Sequence, residues 1–333
     1  MFRLPICIAA VLCVSAGLRA DELPERVTIA TWNLEWFFDH YKGDNVFDLP
    51  KQQSPPSKDE WEWKLKTTAA AIAKLNATIL CLQEVESRNT VSKLVKRLRE
   101  DHKLEYKIAF VEGTDYFTEQ DVCVLAQSGL VGYGRKEQTK EMYKSKVYYE
   151  LSKHLLCDFQ WTSGDDTVRL TLLNVHLRAQ PEQTAIRMRQ AKLARFYLAD
   201  KIKAGENVVL IGDTNTEFSF DDAKPDNDIG VHRGLNTADP TDDLFDCHEL
   251  LKPEDRPTHI IHKSFDRIFV SEPMHAGAPG KKNLTLKSVA NRKDLNTRGR
   301  EQDHDHWNVY YQIPRDERDI SDHFPIVAEF VTK

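Results

Sequence analysis

Apolar residues in this chain come in short runs, each closed by a polar or turn residue, and the runs recur too closely for helices alone. Residues 27–32, 78–82, 106–111, 121–126, 146–151, 169–177, 207–211, 264–271, 284–289 and 324–331 have the length and the β-branched or aromatic content of strands. Three other segments repeat at helical spacing. Ser57-Lys-Asp-Glu60 is a capping box ahead of Trp61, Leu65, Ala69, Ile72 and Ala73. Val91, Leu94, Val95 and Leu98 share one face of a helix over residues 90–100. Pro181 opens a helix to about residue 203, at a position where its missing N–H is no loss. Residues 41–56, rich in Pro, Asp and Gln, read as a loop. Helix, apolar strand and carboxylate follow one another at Glu84 and again at Asp213, a faint internal echo. The pattern predicts an α/β fold, sheets packed on each other with helices outside, in a single domain over residues 21–333.

The first twenty residues stand apart. Arg3 precedes an almost unbroken apolar run over 4–17, and Leu18-Arg19-Ala20 sets a small residue before Asp21-Glu22. That is the layout of a secretory signal peptide, and the run is too short to span a bilayer comfortably. The expected location is therefore secreted or periplasmic. The rest is ordinary globular sequence, 41% hydrophobic and 29% charged over 333 residues. Removing residues 1–20 takes two of the 46 basic residues and no acid, so the net charge moves from -6 to -8. Such a net charge does not by itself point to nucleic-acid binding, but a local patch can still bind a polyanion. Cys81, Cys123, Cys157 and Cys247 remain after cleavage, enough for two disulfides with three connectivities in an exported protein. Cys81 lies within an apolar run, where a buried free thiol fits equally well. No CxxC spacing occurs, so no zinc site is expected.

Polar residues of chemical interest sit where the runs stop. Each has a plain alternative: Asn33 a turn, Glu84 a solvated strand end, His176 a satisfied core histidine. Asp266 inside an apolar strand needs a partner, and Arg267 is the neighbouring candidate. Gly212-Asp213-Thr-Asn215 follows an apolar strand that aims it at a crevice. Taken together these residues supply carboxylates, two histidines and two Asn side chains. Oxygen donors from Glu84, Asn33 and Asp322 suit Mg²⁺ or Mn²⁺. Histidines stabilise phosphoryl oxygens whose charge grows in a transition state.

Six segments in order carry a resemblance: Thr31-Trp-Asn33-Leu, Leu82-Gln-Glu84-Val, Asn174-Val-His176-Leu, Gly212-Asp213-Thr-Asn215, Phe265-Asp266-Arg-Ile and Ser321-Asp322-His323-Phe-Pro. The chain resembles the endonuclease/exonuclease/phosphatase superfamily over nearly all of its mature length. The resemblance implies a four-layer α-β-β-α sandwich of two packed mixed sheets flanked by helices. It also implies a metal-dependent phosphoric ester hydrolase using Mg²⁺ or Mn²⁺. By the same resemblance Glu84 binds the metal with Asn33 beside it, and Asp322 reaches it. Asp213 orients or deprotonates water, and Asn215 holds phosphate. His176 and His323 contact phosphoryl oxygens, and Asp266 pairs with His323. Glu150 is a candidate partner for His176, with a solvated strand residue as the alternative.

Substrate class rests on less. Residues 281–300 carry seven basic residues against Asp294 alone, among them Arg292 and Lys293 as candidate substrate contacts. A basic rim beside the cleft favours nucleic acid; a solvated loop is the alternative. Thr216-Glu217-Phe218 after the Gly-Asp turn departs from the inositol phosphatase branch. Trp36-Phe37-Phe38 and Trp307 with Tyr310 and Tyr311 are clusters that a lipid phosphodiesterase would expose and that packing would bury. The expectation is a monomeric nuclease. A lipid phosphodiesterase or a phosphomonoesterase on inositol or sugar phosphates ranks second. A non-catalytic binding module on the same scaffold is the third reading, and its mark would be a missing core residue.

Overall fold

Thirteen strands form two sheets in the computed structural model, which describes residues 21–278, 282–299 and 306–332. The proposed signal peptide, residues 1–20, lies outside the described residues. In chain order the strands are β1 (Asp21–Glu22), β2 (Arg26–Phe37), β3 (Ile79–Val85), β4 (Lys107–Phe110), β5 (Asp121–Ala126), β6 (Leu130–Gly134), β7 (His154–Ser163), β8 (Asp166–His176), β9 (Val208–Asp213), β10 (Leu244–Asp246), β11 (Asp266–Ser271), β12 (Leu284–Asn291) and β13 (Ile326–Thr332). One sheet runs β1-β7-β8-β9-β11-β10, with β6 added on β7; the other runs β12-β13-β2-β3-β5-β4. Both mix parallel and antiparallel pairs.

Strand parity builds the layers, because alternate residues point to opposite faces. Val27, Ile29, Ile79 and Cys81 meet Leu155, Cys157, Leu172, Val209, Ile211 and Ile268 in the core between the sheets. The opposite parity, Ala30, Trp32, Leu80 and Leu82, packs outward on helices Lys58–Leu75 and Arg88–His102. On the other flank Leu173, Val175, Leu210 and Phe269 pack on helix Thr184–Lys203. The result is the helix–sheet–sheet–helix sandwich that the resemblance implied. The Ser57 side chain caps helix Lys58–Leu75 by accepting from the Glu60 N–H, as the capping box requires.

Three sequence expectations change. The strand expected over 146–151 is absent, and the pairing partner of β8 is β7, beginning at His154. Its alternation of buried Leu155, Cys157, Phe159 and Trp161 with Asp158 and Gln160 is amphipathic, so a search for continuous apolar runs misses it. The expected loop over 41–56 contains a short helix, Asp48–Gln53. The cysteines Cys81, Cys123, Cys157 and Cys247 are all buried free thiols. Burial pushes each of their thiols upward.

Arg267 does not pair with its neighbour Asp266, since adjacent strand residues face opposite ways. Its Nη1 instead meets Asp246 Oδ2 at 3.1 Å on the helix-facing side, and both side chains are buried. Nε and Nη2 donate to the Ser264 and Phe218 carbonyls. Removing one member strands the other as a buried charge, so Arg267→Ala should cost about 3–5 kcal/mol in urea unfolding. The double variant Arg267→Met/Asp246→Leu should lose much less. Equal losses in the two would reject the pair as the reason.

Candidate active site

At one end of the sandwich the inter-sheet layer turns from apolar to polar. Gln83 Nε2 donates to Asn174 Oδ1 across the sheets at 2.7 Å. The Asn174 amide donates in turn to the carbonyls of Leu82 and Cys123. These fully buried amides seal the apolar core against the layer of acids and histidines beyond them.

Register sets much of that layer. His176, Asp213 and Asp266 end or begin three neighbouring strands, with His176 opposite Asp213 on β8–β9 and Asp213 opposite Asp266 on β9–β11. All three share the inward parity of Val209, Ile211 and Ile268. From the facing sheet, Asn33 Nδ2 donates to Glu84 Oε1 and to Asp213 Oδ2, each at 3.0 Å. Its side-chain Oδ1 accepts the Glu35 N–H. Glu84 has the parity of Leu80 and Leu82 and would face the helices, but its φ of 59° breaks the alternation. Opposite it β2 is bulged, with register shifting between Asn33 and Phe37. Glu35 and Trp36 there have φ of 47° and 48°, and Trp36 N–H donates to Glu84 Oε2 at 2.9 Å. Gly212, at φ 132°, lies where a Cβ would stand 2.0 Å from the Val175 carbonyl, so only glycine lets β9 deliver Asp213 there. Asn215, at φ 48°, donates its N–H to Asp213 Oδ1 and its side-chain amide to the Leu177 carbonyl. Left-handed non-glycine residues gathered at one place are the kind of strain that functional sites hold.

The last loop brings His323. Ser321 Oγ donates to the Asn33 carbonyl and accepts the His323 N–H, while Trp32 Nε1 donates to the His323 carbonyl. His323 Nδ1 lies 2.7 Å from Asp266 Oδ2, which also accepts the Thr258 hydroxyl. Its Nε2 stands 3.7 Å from Asp213 Oδ2 and 3.8 Å from Asp322 Oδ1. His176 Nε2 lies 3.5 Å from Asp213 Oδ2 and 3.9 Å from Glu84 Oε1, and its buried Nδ1 has no hydrogen-bond partner among the described residues.

The charges divide sharply. Burial alone would lower the His323 imidazole, yet Asp266, Asp213 and Asp322 outweigh it and raise it well above 6.5. His176, buried and facing the charges of Lys153 and His323, is pushed well below 6.5 and stays neutral. Burial raises Asp213. Burial and the nearby Asp322 raise Glu84 to about 7. Burial also pushes Asp322 upward, but His259, His323 and His306 hold it below the usual carboxylate range. The negative charges of half-buried Glu84 and buried Asp322 bear on each other, a setting that a divalent cation relieves, and their hard oxygens suit Mg²⁺ or Mn²⁺. The donor set therefore fits the metal.

Sequence reasoning missed four participants. Lys153 donates to Gln120 Oε1, pairs with Asp115 at 3.0 Å and bears on His176. His259 Nε2 lies 3.4 Å from Asp322 Oδ2. Glu35 accepts the Asp322 N–H and holds His306 Nε2 at 2.8 Å, and His306 rises to about 8 despite burial. None belongs to a motif; only tertiary contact identifies them. Glu150 accepts the Thr114 hydroxyl and does not hydrogen-bond His176. Arg292 is held by both oxygens of Asp294, and the Lys293 ammonium lies over the Phe324 ring at 5.3 Å. The basic stretch is dispersed. Lys282 reaches Ser163 at the far end of β7, and Lys287 pairs with Glu329. A continuous basic rim, as the charge count suggested, is not formed by its described residues.

Residues 30–323 match the sequence profile of the Endonuclease/Exonuclease/phosphatase family. No curated protein matches the chain. Among solved structures, truncated Caenorhabditis elegans TDP2 is similar at 17% identity and a TM-score of 0.54, covering 92% of this chain and 98% of that one. The human Nocturnin catalytic domain with bound sulfate is similar at 16% identity and TM-score 0.57, over 94% and 96%. D. rerio TDP2 complexed with a single-strand DNA product is similar at 18% and 0.53, over 92% and 99%. At these identities the likeness is one of fold.

The His323 shift has a direct test. Proton NMR of the metal-free protein should find His323 still protonated above pH 7, and Asp266→Asn should lower its titration point. Because the folded value is raised above 6.5, the pair's stability is fully present below pH 6.5 and lost as pH rises through the folded value. An unchanged titration in Asp266→Asn would reject the pairing as its cause.

Proposed function

The chain belongs to the Endonuclease/Exonuclease/phosphatase family of metal-dependent phosphoric ester hydrolases, and on that premise we propose that it is an exported Mg²⁺- or Mn²⁺-dependent nuclease. The observation that carries the reading is the Asp213–Asn33–Glu84 bridge beside an imidazolium His323. A base, a carboxylate pair and a fixed positive charge converge on one cleft. Asp213, raised by burial, accepts the proton of the attacking water, with its oxygens oriented by the Asn33 amide and the Asn215 N–H. His323, kept charged by Asp266, donates to a phosphoryl oxygen as its charge develops. Neutral His176 offers a second N–H, and Asn215 lines the phosphate position. Glu84 and Asp322, with Asn33 beside them, would hold the cation, which when bound supplies Lewis-acid stabilisation of phosphoryl charge.

Nucleic acid is the favoured substrate class, supported by the DNA product held in one structural relative. The protein acts as a monomer. The leader over residues 1–20 supports secretion or a periplasmic location, and the exported protein should begin at Asp21. A cytosolic protein that retains residues 1–20 would overturn this.

Purified protein should hydrolyse bis-p-nitrophenyl phosphate with Mg²⁺ or Mn²⁺ and stop on addition of EDTA. Asp213→Ala should lower kcat by about 10²–10⁴-fold and His323→Ala by about 10²–10³-fold, with unchanged circular dichroism. Retained turnover in either variant would reject its assignment. A panel of plasmid DNA, RNA, sphingomyelin and inositol phosphates identifies the substrate; cleavage of the lipid alone would sink the nuclease reading.

A further inference from the structure

Beside the carboxylates lies a cavity of about 260 Å³, walled by Trp36, Trp307 and Tyr311 and edged by Gln52, Gln53 and Gln312. We propose that it receives a nucleobase flanking the scissile phosphate. The proposal rests on the nuclease reading above and deepens it.

Position comes first. Trp36 N–H is bonded to Glu84 Oε2, and Trp307 Nε1 donates to Asp322 Oδ2 at 2.8 Å. The main chain at Trp36 and the Trp307 indole are thus tied to the two carboxylates that would hold the cation, and both residues line the cavity. The wall is also not spare core. Trp36 is half-buried while Phe37 and Phe38 after it are fully buried, and Trp307 is 50% exposed. The left-handed pair Glu35 and Trp36 takes the chain out of strand parity at this point. Neither residue is a glycine, so the bulge is held against its own strain by the contacts that it makes.

The chemistry of the lining selects the ligand. Lys64 lies in the floor, but its ammonium is committed to the Glu35 and Ile320 carbonyls and the Tyr310 hydroxyl. The Glu35 carboxylate is committed to His306 and the Asp322 N–H. Neither a free cation for a phosphate nor a free carboxylate for an amine faces the space among the described residues. By contrast, the side-chain amides of Gln52, Gln53 and Gln312 make no hydrogen bond to any described residue. Each carries a donor and an acceptor, which matches the edge of a base. Flat indole and phenol walls stack a base from either side. A neutral, planar group with amide-like edges satisfies all of these walls together.

The test separates the subsite from the nuclease reading. Calorimetric titration with Mg²⁺ present should find a nucleoside 5′-monophosphate binding about tenfold more tightly than ribose 5-phosphate. Trp307→Ala should remove that difference while circular dichroism shows the protein still folded. Gln52→Ala/Gln312→Ala, at two exposed positions, provides a second reading if Trp307→Ala fails to fold. In cleavage assays an abasic residue beside the scissile bond should raise KM about tenfold in the wild type and leave it unchanged in Trp307→Ala. Equal affinity for the two phosphates, or a base preference that survives both variants, overturns the subsite. Base-dependent binding without cleavage of any nucleic acid keeps the subsite and overturns the nuclease reading. Cleavage indifferent to the abasic residue does the reverse.

Discussion

One buried amide ties the two sheets together at the end where the acids gather. Asn33, from β2, donates to Glu84 in its own sheet and to Asp213 in the facing one. Both acceptors sit in a setting whose burial raises carboxylates. An amide donor partly offsets that cost, and its loss would leave two buried acids without it. The spacing of the cleft follows from this bridge. So does the height of His323, whose loop hangs from the Asn33 carbonyl through Ser321.

Around the bridge the backbone departs from regular strand geometry in a consistent direction. Glu84, Glu35, Trp36 and Asn215 are left-handed, and Gly212 has a conformation closed to any side chain. Each departure moves a functional group off strand parity or seats one beside it. Glu84 comes round from the helix face, and the Asn215 N–H turns onto Asp213. The sheets supply a rigid frame, and the bends at their ends aim the chemistry.

Electrostatics then grade the site from one side to the other. Asp266 and its neighbours keep His323 charged, while burial and Lys153 keep His176 neutral. The two imidazoles thus differ by environment, with the same ring chemistry in both. A further tier lies outside them, where Glu35, His306, His259 and Trp307 hold Asp322 in place. Glu35 and Trp307 of that tier also line the adjoining cavity, so the reacting centre and the proposed base subsite share supports.

The fold class, the helices at Lys58–Leu75 and Thr184–Lys203 and most central strands were legible in the sequence, because burial on one face imposes a period that the residues must show. The six polar segments at strand ends were legible for the same reason: an acid or histidine closing an apolar run is conspicuous. Strand β7 escaped because its outward residues are polar, and Lys153, His259, Glu35 and His306 escaped because nothing local marks them. The basic stretch misled in the other direction, since charge count says nothing about where folded side chains find partners. Sequence by itself determined which residues are buried and which polar groups interrupt them. The resemblance implied Glu84 at the metal and Asp266 on His323, but tertiary structure alone shows how: a left-handed bend turns Glu84 to the site, Asp266 meets His323 while Arg267 turns to Asp246, and two tryptophans flank a cavity. Those outcomes depend on backbone bends and on contacts between residues distant in the chain, which no local period encodes.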